Sequence, residues 1–171
     1  MLTEVSCQRR GALRAAHESK DVHGLDALLK GWKYPTSYAE YEDYYSKHRE
    51  LEEGFKADLA EMRAAHESSD VQKLSAKLRD WKYSRNSSEY QNYDEMRGVL
   101  ERGFAALLEE MQSAYDSNEK HTLAAKLEHW PYPRTYPEFA DYERKVRDLE
   151  DDLRRAEQET TMARTLWSSI S

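Results

Sequence analysis

Two pairs of residues have the types and spacing for metal binding or acid–base work: His17 with Asp21, and His66 with Asp70. A zinc protease site would need His-Glu-x-x-His, in which two imidazoles share one ion with a further ligand. Here the His-Glu is followed by Ser-Lys-Asp or Ser-Ser-Asp, and Tyr115 stands where a third copy of the pair would put its histidine. Two ligands do not make a site, so no metal and no other cofactor is expected. The pairs read instead as an imidazole covering a helix C-terminus and an acid opening the next helix.

Other chemistry has no visible seat. Gly-x-Gly-x-x-Gly, phosphate-binding, Gly-x-Ser-x-Gly and Cys-x-x-Cys patterns are all missing, and Cys7 is the single cysteine. The many carboxylates lie on amphipathic helical patterns, where they are normally solvated. No catalytic residue and no small-molecule substrate is expected. Aromatic triplets (Trp32-Lys33-Tyr34, Trp81-Lys82-Tyr83, Trp130-Pro131-Tyr132) could anchor a ligand. They fall at the turn where one helix meets the next, so the rings are expected to plug that junction with their polar tips in water. Tyr38, Tyr41, Tyr44 and Tyr45, then Tyr90 and Tyr93, then Tyr136 and Tyr142, read as a half-buried seam.

The elements that would position these residues follow from a repeat. Trp32, Trp81 and Trp130 are 49 residues apart, and residues 14–50 match residues 63–99 at 17 of 37 positions. A third, more diverged copy keeps Leu123, Ala125, Leu127, Trp130 and Tyr132. Ser37, Asn86 and Thr135 each precede a glutamate by three residues (Glu40, Glu89, Glu138), the pattern of a capping box. A second set of helix starts is expected near Ser19, Ser68 and Ser117, each with an acid two residues on (Asp21, Asp70, Glu119).

From each capping box apolar residues recur at threes and fours. Tyr38, Tyr41, Tyr45, His48, Leu51, Phe55, Leu59, Met62 and Ala65 make one stripe, and Tyr90, Tyr93, Val99, Leu100, Phe104, Leu108, Met111 and Ala114 the next. This predicts long helices of roughly 30 residues. Gly54 and Gly103 lie inside them and suggest a bend or a close helix contact. A short helix of about 12 residues fits between, burying Leu25, Leu29 and Trp32 and ending at Pro35 in the first copy and at Pro131 and Pro133 in the third.

The expected fold class is therefore all-α, built of tandem 49-residue helical repeats with one long and one short helix each, and elongated. Repeats would cover 2–50, 51–99 and 100–148, leaving 149–171 as a half-repeat helix and tail. Two packings are open. In one, the back half of a long helix, a short helix and the front half of the next long helix form a three-helix bundle, with the long helices continuing between bundles. That arrangement is similar in architecture to spectrin repeats, whose units are larger. In the other, helix pairs stack as an α-solenoid.

Composition agrees with helices and narrows the partners. Of 171 residues 35% are charged and 39% hydrophobic, with 6 Gly and 4 Pro, too few turn residues for a many-stranded sheet fold. A net charge of -7 with acids spread along the chain disfavours nucleic acid, which needs a concentrated basic face. No apolar run is long enough for membrane insertion. One cysteine and an N-terminus (MLTEVSCQRR) without an apolar signal core point to a reducing, intracellular, cytoplasmic setting.

The half-repeat tail keeps apolar residues at helical spacing: Leu149, Leu153, Ala156, Met162, Leu166 and Trp167. Leu149, Leu153, Met162, Leu166 and Trp167 are the candidate partner-binding residues, because an exposed stripe is unfavourable by about 25 cal/mol per Å² of apolar area. The tail is expected to fold back, to self-associate, or to dock on another protein. The function expected is a non-enzymatic scaffold or spacer mediating protein–protein interaction, in a cytoskeletal or ciliary setting. The alternative is an adaptor that binds a peptide or an EF-hand partner of the centrin or calmodulin kind through exposed aromatics. Leu28, Leu29, Trp32 and Lys33, with Leu78, Trp81 and Lys82, resemble the leucine and tryptophan spacing of centrin-binding repeats. Buried tryptophans would favour the spacer, solvent-facing ones the adaptor.

Overall fold

The turns before the short helices each hinge on one residue. In the computed structural model, which describes residues 2–170, Lys20, Ser69 and Asn118 adopt φ of 53°, 53° and 57°. Behind them the amides of Asp21, Asp70 and Glu119 reach back to the carbonyls of Ala16, Ala65 and Ala114 at 2.9, 2.8 and 2.8 Å. This is the Schellman closure of a helix C-terminus, in which a left-handed residue lets the chain turn while the last carbonyls keep partners. Seven helices result among the described residues: α1 (Leu2–Glu18), α2 (Val22–Lys30), α3 (Ala39–Glu67), α4 (Val71–Arg79), α5 (Ser88–Asp116), α6 (Lys120–Glu128) and α7 (Pro137–Ile170). The described residues contain no strand.

Caps differ from the sequence expectation. Ser19, Ser68 and Ser117 sit at the ends of the preceding helices, and the acids themselves open the short ones. Asp21 accepts from the Gly24 amide at 2.9 Å and Asp70 from the Lys73 amide at 3.1 Å. Glu119, one methylene longer, makes no such bond at the start of α6. Glu119→Asp should therefore stabilise the C-terminal part by about 1 kcal/mol, the usual worth of a helix N-cap. Urea denaturation measures it, and an unchanged midpoint would show that the turn alone sets this helix start.

Capping boxes at Ser37, Asn86 and Thr135 do not form as expected. Tyr38 occupies the N-cap of α3 without a side-chain bond, the Tyr90 amide bonds to Ser87 Oγ at 3.3 Å, and α7 begins on Pro137. Proline suits that first position because its missing N–H would have had no partner. Glu40, Glu89 and Glu138 fall in the first turns, where the helix dipole favours a carboxylate.

The short helices have 9 residues, fewer than expected. Trp32, Trp81 and Trp130 lie past their ends, and each indole N–H donates to the carbonyl three residues on: Pro35 at 3.4 Å, Ser84 at 3.4 Å and Pro133 at 3.3 Å. The polar tips thus bond to the turn rather than reach water. Pro35 is not the terminator, since α4 ends at the matching place with Ser84 where the first copy has proline.

The chain divides into two compact units, residues 1–99 and 100–171. In the first, α1, α2 and α3 pack on one another, and α4 packs on α3. Leu13 and Ala16 of α1 meet Leu25 and Leu29 of α2, with Tyr41, Tyr44 and Leu51 of α3 closing the cluster. Tyr44 takes the inner position expected of Tyr45, which is 52% exposed. Also on α3, Phe55, Met62 and Ala65 are buried, as are Val71, Leu74 and Leu78 of α4. Trp81 and Tyr83 lie against Phe55, with ring centres 5.6 and 5.2 Å away. His48 of α3 is also buried, with Nε2 unbonded and 3.8 Å from Asp26 Oδ1 of α2.

In the second unit Met111 and Ala114 of α5, Leu123 and Leu127 of α6, and Tyr142 and Leu149 of α7 form a core with Trp130 and Tyr136. The Tyr142 hydroxyl donates to the Leu108 carbonyl at 3.2 Å. Val99, expected on the inner stripe of α5, is 61% exposed.

Burial raises the pKa of Tyr83, Tyr132 and Tyr142 above the ordinary 10.0, helped at Tyr83 by donation to the Asp58 carboxylate. Each therefore contributes stability that is fully present below about pH 10 and is lost as pH climbs above that value, because the unfolded chain releases these protons first. Urea midpoints should hold steady, as far as these groups are concerned, up to about pH 10 and fall beyond it. Phenolate absorbance should rise together with unfolding. Full ionisation of every tyrosine in a still-folded chain would contradict this.

Candidate interaction site

α7 carries its apolar stripe beyond the core it helps to build. Phe139, Tyr142, Val146 and Leu149 pack in the second unit, whereas every residue from 151 to 170 is exposed. Leu149 therefore leaves the set of candidate partner-binding residues. It is 5% exposed because it closes the core beneath Tyr142, so the uncovered segment starts one turn later than the half-repeat boundary implied. Leu153, Met162, Leu166 and Trp167 remain, at 46%, 66%, 61% and 77% exposed. Ile170, 80% exposed, belongs with them and was missed, although its spacing of three from Trp167 signals it.

Nor does the tail fold back, since α7 is one helix of 34 residues. Its uncovered part is polar apart from the stripe. Arg154 pairs with Asp151 at 3.6 Å and Arg155 with Asp152 at 3.5 Å, exposed pairs worth a few tenths of a kcal/mol at most. Thr160, Thr161 and Thr165 donate to backbone carbonyls four residues back, each at 2.9 Å. In proteins most helical stability comes from packing of an apolar face, which this part of α7 lacks within the second unit. Covering Leu153, Leu166, Trp167 and Ile170 would both remove apolar area from water and hold the helix.

The other candidate places carry less. Trp81 and Trp130 are buried and offer nothing to a ligand, while Trp32 is half-buried. Trp32 lines an open hollow of about 530 Å³ with Arg9, Arg10, Tyr34, Tyr38 and Glu40. Of the histidine–aspartate pairs, Asp21 and Asp70 are both engaged as helix caps. Among the described residues no three His, Cys, Asp or Glu side chains gather as a metal ion would require. Cys7 is exposed on α1. Among the described residues no helix is long and apolar enough to cross a membrane.

No protein-family model matches the chain, and neither a curated protein nor a solved structure shows significant similarity to it.

Proposed function

We propose that the chain is a non-enzymatic scaffold or spacer of tandem 49-residue helical repeats, whose last helix docks on another protein chain. The repeat is supported by features that recur at that interval. The long helices open at Ala39, Ser88 and Pro137, the left-handed residues are Lys20, Ser69 and Asn118, and each tryptophan bonds its own turn. Cores drawn from the end of one long helix, a short helix and the start of the next favour three-helix bundles with spectrin-like continuity over a solenoid. Docking rests on one observation: Leu153, Met162, Leu166, Trp167 and Ile170 of α7 are exposed on one helix end, whereas the repeats expose large apolar side chains singly, at Tyr38, Tyr45 and Val99. An intracellular setting, cytoskeletal or ciliary, suits a scaffold with a single exposed cysteine.

Comparing the full chain with a Leu153→Ser/Trp167→Ser variant tests the reading, by cross-linking in cells and identifying the captured proteins. The variant should fold with unchanged circular dichroism of its cores and lose the captured proteins. Capture of the same proteins in the same amounts would sink the docking role.

A second reading, the adaptor, is favoured only by the hollow at Trp32, whose two arginines and three aromatic rings suit a peptide with acidic and apolar residues. Trp32→Ala would abolish such binding and leave the α7 association intact.

A further inference from the structure

Resting on the reading of α7 as a docking element, we propose that its occupant is α7 of a second copy of this chain, running antiparallel. The inner residues Phe139, Tyr142, Val146 and Leu149 are spaced by alternating threes and fours, and the alternation continues without a break through Leu153, Ala156, Thr160, Ala163, Trp167 and Ile170. Such a seam is what one helix presents to another in a coiled coil. It spans about 26 Å of exposed helix at 1.5 Å per residue, and Leu166 flanks it near the end.

Direction follows from size and charge. In a parallel pair each residue meets its own copy, so Trp167 would face Trp167 while Ala156 faced Ala156 and Ala163 faced Ala163. That overfills one layer and leaves others hollow. It would also set Asp152 beside Glu157 of the second copy, like charges flanking the seam. In an antiparallel pair centred between Thr160 and Ala163 the clash of the two Trp167 rings disappears. Trp167 faces Ala156 of the second copy, Leu153 faces Ile170, and Thr160 faces Ala163. Glu157 then lies beside Arg164 of the second copy, twice by symmetry. Trp167 meets a small residue in this direction only, and the charges favour it on balance: a parallel pair would set Glu159 beside Arg164 but keep the Asp152–Glu157 repulsion, which the antiparallel pair lacks. The contact is isologous, so it closes at two chains.

Sedimentation equilibrium of the full chain over a wide concentration range tests the proposal. A monomer–dimer equilibrium is expected, weakened about tenfold or more by Trp167→Ala and by Leu153→Ala. Glu157→Arg decides direction. It weakens the antiparallel dimer by placing two arginines together, whereas in a parallel pair it would strengthen association by meeting Asp152. Adding Arg164→Glu to Glu157→Arg should restore the dimer. These positions are exposed, so the variants test association without disturbing the core. A chain that stays monomeric at every concentration, a trimer, insensitivity to Trp167→Ala, or strengthening by Glu157→Arg would each overturn the proposal. A monomer that still captures other proteins through Leu153 and Trp167 would leave the scaffold reading standing.

Discussion

Trp130→Ala is expected to destabilise the unit formed by residues 100–171 by about 3–5 kcal/mol, the range for removing a buried tryptophan. The ring is 6% exposed and meets Phe104, Tyr132 and Phe139 edge-on, with centres 6.0, 5.6 and 5.6 Å away. Truncation leaves a cavity between α5 and α7 and strips the Pro133 carbonyl of its 3.3 Å indole donor. Trp130→Phe separates the two losses, since it keeps a ring and removes only the donor, about 1 kcal/mol. Trp81→Ala should match Trp130→Ala, its ring being 7% exposed. Trp32→Ala should cost clearly less, because that ring is half-buried although its bond to Pro35 is equivalent. Urea denaturation followed by circular dichroism gives all four values. Equal losses at Trp32 and Trp130 would mean that the turn bond, not burial, carries the energy.

Periodicity made the helices legible, because stripes such as Phe55, Met62 and Ala65 can be satisfied only by burying one helix face. It could not say which of two adjacent tyrosines faces inward. Tyr44 and Tyr45 both fit the stripe, and only the packing of α2 selects Tyr44. Helix ends were the least legible, since Ser37 and Asn86 satisfy the capping pattern but the chain stays in the tryptophan turn for one or two residues more. Likewise His48 reads as part of the apolar stripe and is indeed buried, yet nothing in its spacing tells that its Nε2 is left without a hydrogen bond. At the candidate site, Leu153, Met162, Leu166 and Trp167 were visible from helical spacing. The burial of Leu149 was not, because where a core stops depends on how far α6 and α5 reach along α7.

Gly54→Ala should destabilise the unit formed by residues 1–99 by about 1–3 kcal/mol, against the gain of up to ~1 kcal/mol that the same change brings at an unconstrained helix position. A Cβ at Gly54 would lie 2.8 Å from the Tyr83 hydroxyl. Tyr83 has nowhere to retreat, being 6% exposed with Phe55 and Trp81 at 5.2 and 4.9 Å and its hydroxyl donating to Asp58. The close helix contact expected of this glycine is thus with the aromatic triplet that follows the short helix. Gly103 faces Tyr132 at a looser 3.1 Å, and Leu107 stands where an acid would pin that hydroxyl, so Gly103→Ala should be close to neutral. Gly11, with nothing within 4 Å, should tolerate alanine with a gain of about 0.5–1 kcal/mol. Tyr83→Phe removes the atom that clashes, so Gly54→Ala combined with Tyr83→Phe should lose less than the sum of the two single changes. Strict additivity in that cycle would mean that Gly54 is conserved between the copies for some reason other than making room for the Tyr83 hydroxyl.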